Sequence, residues 1–415
     1  MPTLLSINNY HYRRGGAEAV FLEQNRLFEQ QGWRVAPFAM RHAQNLPTPW
    51  SDYFVEEIEF GAEYSALEKL TKIPKVIYSL EARRKLDALL NKVRPHIAHA
   101  HNVYHHISPS IFGLLKRRGV PVVLTLHDLK LACPAYKMLT HDGVCERCKG
   151  GALHHVMLHR CVKNSLALSG MILLETLVHR ALRCYTDHVD RLVTPSRFYL
   201  EKLVEWGWER ERFVHVPNFV DCAAHRPNYT PGSAFLYFGR LGPEKGVRTL
   251  IEAAAAARVP LWIAGSGPEE TMLRQHAAQL GADVTFLGYQ SGDALHDCVR
   301  RARAVVLPSE WYENAPISVL ESYALGKPVI GAAIGGIPEL IREGQTGATF
   351  ASGDAAALAA VLRDFADTPA KRLADMGHVA RAWVENCFTA ERYIERLMHL
   401  YSEFGICAWN SRYAW

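Results

Sequence analysis

PSEWYENAPISVLESYALGKPVIG, residues 308–331, follows the apolar run 304–307 and carries Glu313 and Glu321 with seven residues between them. The apolar run has the length and composition of a buried strand. Proline costs little in the first turn of a helix, so the chain turns from strand into helix near Pro316, with Glu313 before the helix and Glu321 inside it. From Asn314 to Ser318, a stretch that includes Ala315, Pro316 and Ile317, the free backbone N–H groups, which Pro316 itself lacks, point outward at the positive end of the helix dipole, which suits a phosphate. One carboxylate then reaches sugar hydroxyls, and the other, further along the helix, reaches a ribose diol. Either glutamate taken alone is explained as well by a dipole-complementing or solvated side chain.

Short apolar or β-branched runs recur throughout the chain. In the first half they fall at 3–7, 35–40, 97–101, 120–127 and 192–194, separated by helical patterns such as 17–31 and 80–93. A second series falls at 234–238, 261–264, 284–287, 304–307, 328–331 and 348–350. This alternation marks βαβ units on parallel sheets. The expected fold is therefore α/β, with two doubly wound Rossmann-like domains facing a central cleft and ligands held beyond the carboxyl ends of the strands. Pro217, Pro227 and Pro231 place the hinge within residues 214–232. The expected division is 1–216, with a cysteine-rich insertion at 133–161, then 217–388. Residues 389–415 follow, where Tyr393, Leu397, Leu400 and Tyr401 keep helical spacing.

GRLGPEKG, residues 239–246, comes directly after the first strand of the second series and holds Arg240 and Lys245 on a glycine-rich loop. Two cations there suit a diphosphate, arginine through a planar fork and lysine as a point charge. These pieces, together with AGSGPEE at 264–270, FLGYQSGDAL at 286–295 and GKPVIGAAIGGIPELIREGQTGATF at 326–350, resemble glycosyltransferase family 4. That family comprises retaining enzymes of the GT-B fold, including those that build bacterial cell-surface polysaccharides. The resemblance implies that Arg240 and Lys245 bind the donor phosphates, that Glu313 holds the transferred sugar and that Glu321 holds the ribose. It places the nucleobase at the loop containing Gly288 and Tyr289, and makes the closing helix leave the second domain to pack on the first.

In the first half, Arg13-Arg14-Gly15-Gly16-Ala17-Glu18 follows the first strand and opens a helix, where Gly15 and Gly16 let the backbone approach a phosphate. His127 ends the run 120–127 and matches a family histidine that lines the donor sugar. A satisfied histidine at a strand end is the plainer reading of the same residue. His99, His101, His105 and His106 read as cleft lining, with acceptor-pocket walls or a metal site as alternatives. Cys133, Cys145, Cys148 and Cys161 cluster in the insertion, and their CxxC with flanking cysteines suits one tetrahedral structural Zn²⁺. Four sulfurs around one zinc would stand about 3.5 to 4 Å apart. An iron–sulfur cluster, a redox pair and free thiols are the alternatives, and His141, His154, His155 or His159 can replace a thiolate.

The chain has 415 residues, 49% hydrophobic and 21% charged, enough for two cores and too apolar for disorder. Its net charge of +5 averages unlike halves. Residues 1–216 hold 29 Lys+Arg and 21 Asp+Glu, a net of +8, whereas the remainder holds 18 and 21, a net of −3. A basic first half, with a run of cations over 69–94, suits an anionic or lipid-linked acceptor and peripheral contact with a membrane. The start reads as a strand rather than a secretory signal, so the expected location is the cytoplasm or the inner face of the membrane.

The expected reaction is retaining, metal-independent transfer of a hexosyl group from a UDP- or GDP-sugar to a glycan, lipid-linked or other hydroxyl acceptor. It needs no catalytic cofactor and no nucleic-acid partner. A non-catalytic nucleotide-sugar sensor is one alternative, and a nucleotide-sugar epimerase or a phosphorylase on the same fold is another.

Overall fold

A computed structural model describes residues 1–58 and 66–406 of the chain. Two six-stranded parallel sheets form its frame. The first runs, edge to edge, Arg34–Phe38, Thr3–Ile7, Ile97–Ala100, Val122–Thr125, Arg191–Thr194 and Phe213–His215. The second runs Val284–Gly288, Leu261–Ala264, Phe235–Phe238, Val305–Leu307, Val329–Ala332 and Gly347–Phe350. The strands read as nearly continuous apolar runs because helices cover both faces of each sheet; all five residues of Thr3–Ile7 are buried. The α/β, doubly wound architecture expected from the sequence is therefore present.

In both sheets the chain first extends to one side and then returns to the other. The reversal lies between Thr3–Ile7 and Ile97–Ala100 in the first sheet, and between Phe235–Phe238 and Val305–Leu307 in the second. Loops leaving the carboxyl ends of these strands diverge and leave a crevice, the place where such sheets bind ligands. Asn8, Asn9, His101 and Asn102 leave the first reversal. Gly239, Arg240, Pro308 and Ser309 leave the second.

Two differences from the expected elements have physical causes. Phe213–His215 is an edge strand, pairing Phe213 with Leu192, where the sequence suggested the start of the hinge. The run 120–127 contributes only Val122–Thr125 to the sheet, because Pro121 lacks an N–H to donate and the chain turns away after Leu126. The apolar stretch at 166–174 belongs to an amphipathic helix, Leu166–Ala181, that buries Ile172 and Glu175 while Leu174 and Leu177 stay exposed. Among the described residues no helix is long and apolar enough to cross a membrane.

The helix Ala390–Ser402 lies on the first sheet. Tyr393, Ile394, Leu397, Leu400 and Tyr401 share one apolar cluster with Leu4, Val20, Phe28, Trp33 and Val193. Burying Leu397 and Leu400 contributes about 1.5 to 3 kcal/mol each. Tyr393 Oη donates to Gln24 Oε1 at 2.7 Å, and Tyr401 stacks on Phe28. The last segment of the chain thus clamps the two sheets together; residues 407–415 of the expected return lie outside the described residues.

Much of the basic run at 69–94 is paired locally. Lys75 bonds Glu56 and Glu81, Lys85 bonds the Phe54 carbonyl, and Arg83 donates to Tyr78 Oη. The side chain of Lys69 lies outside the described residues. Carboxylates offset the Lys75 charge, whereas the Phe54 carbonyl and the Tyr78 hydroxyl are neutral partners that orient Lys85 and Arg83 without cancelling their charge.

Candidate active site

Lys245 and Glu313 meet at the reversal of the second sheet. Lys245 Nζ donates to Glu313 Oε1 at 2.7 Å, and Ser309 Oγ donates to the same oxygen at 2.7 Å. Burial alone would raise the Glu313 pKa, but the Lys245 charge and the hydrogen bonds from Lys245 and Ser309 hold it below the usual carboxylate range. Arg240 lies half-exposed against the buried Glu244 carboxylate, leaving part of its fork free to face a ligand. Gly265 makes this packing possible: a Cβ there would stand 1.9 Å from the Gly239 carbonyl oxygen, so AGSG is what lets GRLG lie flat against it.

The helix after Glu313 is Ile317–Ala324, capped by Pro316. Its first residue faces the glycine loop of the other half, since a Cβ on Gly16 would meet Ile317 Cδ1 at 3.6 Å. Gly16 itself opens the helix Gly16–Gln30, so two helix N-termini approach one gap from opposite sheets. Glu321 lies near Arg13 and His225; burial raises its pKa, and those two residues oppose the shift. Gly288, at φ 68°, accepts from Gly265 N, and Tyr289 is 74% exposed beside it. The structure therefore brings Arg240, Lys245, Glu313, the start of the 317–324 helix and Gly15–Gly16 to one cleft.

Several neighbours of these residues span the cleft rather than face a ligand. Asn314 Nδ2 donates to the Leu126 carbonyl at 2.9 Å, and Asn314 Oδ1 accepts from Ser196 Oγ at 2.8 Å. The Ala315 carbonyl accepts from Asn218 Nδ2 at 2.8 Å. The Asn314 side chain thus ties the two sheets together, whereas the expectation for this residue concerned its backbone N–H. Glu339 accepts from the backbone N–H groups of Arg197 and Phe198, capping a helix of the first half from the second. Gly336 fits under this loop only because it lacks a side chain: a Cβ would stand 1.9 Å from the Asn314 carbonyl oxygen. Ser196, Gly336 and Glu339 were not singled out from the sequence. IGGIPE was visible there, but only its pairing across the cleft shows what it does.

His127 enters from the first sheet. Its Nε2 lies 2.9 Å from His101 Nδ1, and the rings stack with centroids 5.2 Å apart. His101 stacks in turn on His99, whose ring nitrogens meet Tyr401 Oη at 2.5 Å and Thr125 Oγ1 at 2.6 Å. Burial lowers the His127 pKa to about 4, so the ring is neutral near pH 7 and its tautomer is set by His101. The remaining histidines diverge: His105 meets Glu175 at 3.1 Å, and His106 meets Tyr10 Oη at 3.3 Å. The four do not form one metal centre. Asp128, next to His127, is pushed up to about 6 by burial.

Cys133, Cys145, Cys148 and Cys161 are unbonded to one another and line a single enclosed cavity of about 10 Å³, with His155 and His159 in its wall. Burial pushes the Cys133 thiol up to about 12 and the Cys148 thiol to about 11. Among the described residues no three His, Cys, Asp or Glu side chains already stand as a metal cage. The tetrahedral arrangement expected from the spacing is therefore not preformed, although the four thiols do share one space.

Two family models match the chain: Glycosyltransferase Family 4 over residues 14–224 and Glycosyl transferases group 1 over residues 226–383. Glycogen synthase of Mycobacterium tuberculosis is 34% identical over 206 residues, which are 46% of this chain and 49% of that enzyme. The chain thus spans about half the length of this curated relative. Sucrose-phosphate synthase from Thermosynechococcus elongatus superposes with a TM-score of 0.71 at 20% identity, covering 98% of this chain and 99% of the other. Anabaena Alr3699/HepE, in complex with UDP and glucose, superposes with a TM-score of 0.68 at 15% identity, covering 97% and 100%. These likenesses place the two sheets in the GT-B fold. With one model spanning the first half and the other the second, the chain belongs to glycosyltransferase family 4.

Proposed function

We propose that this chain is a retaining hexosyltransferase that takes its sugar from a nucleotide sugar, with UDP- and GDP-sugars as the first candidates. The observation that carries the reading is the buried Glu313 held by Lys245, beside Arg240 and in front of two helix N-termini. Positive charge and helix dipoles there stabilise a leaving diphosphate. Glu313 and neutral His127 approach the position of the sugar from opposite sheets. Glu313 orients hydroxyls, and His127 supplies one neutral ring nitrogen once the other is engaged with His101. The leaving phosphate takes the acceptor proton, and a divalent ion is dispensable.

A screen of UDP-, GDP- and ADP-sugars for thermal stabilisation identifies the donor, and NMR of the product's anomeric proton identifies the stereochemistry. Stabilisation by one nucleotide class and an α-product from an α-donor are expected; an inverted product would refute retention. A sensor would bind the donor and never turn it over.

The acceptor side is part of the same proposal. Exposed Leu174 and Leu177 lie on one face of the Leu166–Ala181 helix, with Leu158, Leu166, Arg160 and Arg180 also exposed nearby in the chain. An apolar face with cations suits a lipid surface carrying a lipid-linked acceptor. Co-sedimentation with anionic vesicles is expected to fall when Leu174 and Leu177 are changed to Ser; unchanged partitioning would remove the membrane from the account.

A further inference from the structure

The segment that carries the four cysteines has little regular secondary structure. Its regular structure consists of two paired strands of two residues, Leu139–Thr140 and Gly143–Val144, a single 3₁₀ turn at Lys149–Gly151 and the four-residue helix His155–Leu158. Tyr136, Met138, Arg160, Lys163 and Asn164 all have positive φ, a conformation that non-glycine residues adopt only when their surroundings enforce it. Yet the segment makes a specific long-range connection. Glu146, inside the CxxC, accepts from Tyr312 Oη at 2.8 Å and from Lys202 Nζ at 2.8 Å. Tyr312 is the residue before Glu313, and its carbonyl accepts from Tyr199 Oη at 3.1 Å. Hydrogen-bonded turns and the buried side chains of Met138, Leu153 and Val156 order this loop locally, and a crosslink among its cysteines would fix the point at which it presents the carboxylate.

We propose that Cys133, Cys145, Cys148 and Cys161 bind one zinc ion, and that this ion fixes the knuckle from which Glu146 holds Tyr312 beside the donor site. The four thiols surround a space of about 10 Å³, room for one atom of this size, and no two of them are bonded. Thiolates are soft ligands that favour zinc in tetrahedral geometry, and because no cage stands preformed the four side chains lining the cavity must draw together onto the ion. Binding converts four thiols to thiolates and releases four protons to solvent, and Arg147 and Arg180 are near enough to offset the negative charge left at the site. His155 and His159 line the same cavity and remain outside the ligand set. The ion therefore adds a crosslink to the turns and buried side chains that already order the loop. The metal site stands independently of the reaction; the coupling through Glu146 rests on the donor-site reading above.

The test is elemental analysis of the full chain purified without added metal, followed by cobalt substitution. One zinc per chain is expected, along with the intense visible bands and sulfur-to-cobalt charge transfer of a tetrahedral thiolate site. Cys145→Ser with Cys148→Ser should abolish both, and His155→Ala should leave both in place. Chain with four reactive thiols and no metal, chain with iron and sulfide, or a mass two units low from a disulfide would each overturn the zinc assignment. For the coupling, Glu146→Gln should keep its zinc while sugar turnover falls about tenfold, the scale of effect seen when groups that orient a metal site are lost. Full turnover in that variant would overturn the coupling and leave the zinc result standing. If the parent turned over no donor sugar at all, the donor-site reading would fail, and the metal content would still be measured.

Discussion

Glu313→Gln is expected to lower kcat by about 10² to 10³ while nucleoside diphosphate affinity stays within a few-fold of the parent. Glutamine keeps the size of the side chain and an acceptor for Ser309 Oγ and Lys245 Nζ, so the loop has no reason to move. What it removes is charge at the sugar. On the donor-site proposal the phosphate contacts from Arg240, from Lys245 and from the helix start remain, and Lys245 is freed from its carboxylate partner. A loss in kcat with little change in binding therefore separates a sugar-facing role from a phosphate-facing one. The pH dependence follows from the same pair. The Glu313 pKa is held below the usual value, so the pair's contribution to stability is complete above the unfolded value of about 4.3 and is lost as the pH falls through the lower folded value. An unchanged rate would take Glu313 out of the site.

Lys130→Ala is expected to cost about 3 to 5 kcal/mol of stability, read as a lower urea midpoint. Lys130 Nζ lies 2.7 Å from Glu175 Oε2 and donates to the Pro134 carbonyl at 2.8 Å; its side chain is 4% exposed and that of Glu175 0%. Burial would raise the Glu175 pKa, but Lys130 and His105 hold it far below the carboxylate range. The pair's stabilisation is therefore present above the ordinary carboxylate value and lost only as the pH falls well into the acid range. Without Lys130 the burial effect gains weight, Glu175 moves up, and the variant should recover relative stability as the pH is lowered. Replacing both residues, Lys130→Met with Glu175→Leu, should restore most of the loss, because it removes the charge along with its partner. A single variant as stable as the parent would show that the pair contributes nothing.

The parts of the fold that were legible in the sequence are those whose signal is local. Leu261–Ala264 and Leu80–Val93 coincide with the expected runs because each has an apolar pattern closed by residues that stop it. GRLGPEKG and the Glu313 to Glu321 element are contiguous motifs, and the sheet's strand order brings their loops together. Phe213–His215 escaped notice because a three-residue edge strand ahead of Pro217 has no pattern of its own. His99 and His101 could have been read as a pair, since residues two apart in a strand share a face; the structure stacks them at 4.9 Å. That His101 meets His127, that Lys130 meets Glu175 and that Glu146 meets Tyr312 are long-range pairings that leave no trace in residue spacing. The cysteine spacing pointed to four thiols in one place, and the structure gathers them around one cavity without preforming the cage.

The central claim is that Arg240 and Lys245 hold the diphosphate of a nucleotide donor. Calorimetric titration of UDP, GDP and ADP into the parent chain and into Arg240→Ala and Lys245→Ala tests it most directly. One nucleotide should bind the parent, and each variant should weaken it by about tenfold to a hundredfold, the value of one charge-assisted phosphate contact. Equal affinity in the parent and both variants would contradict the account.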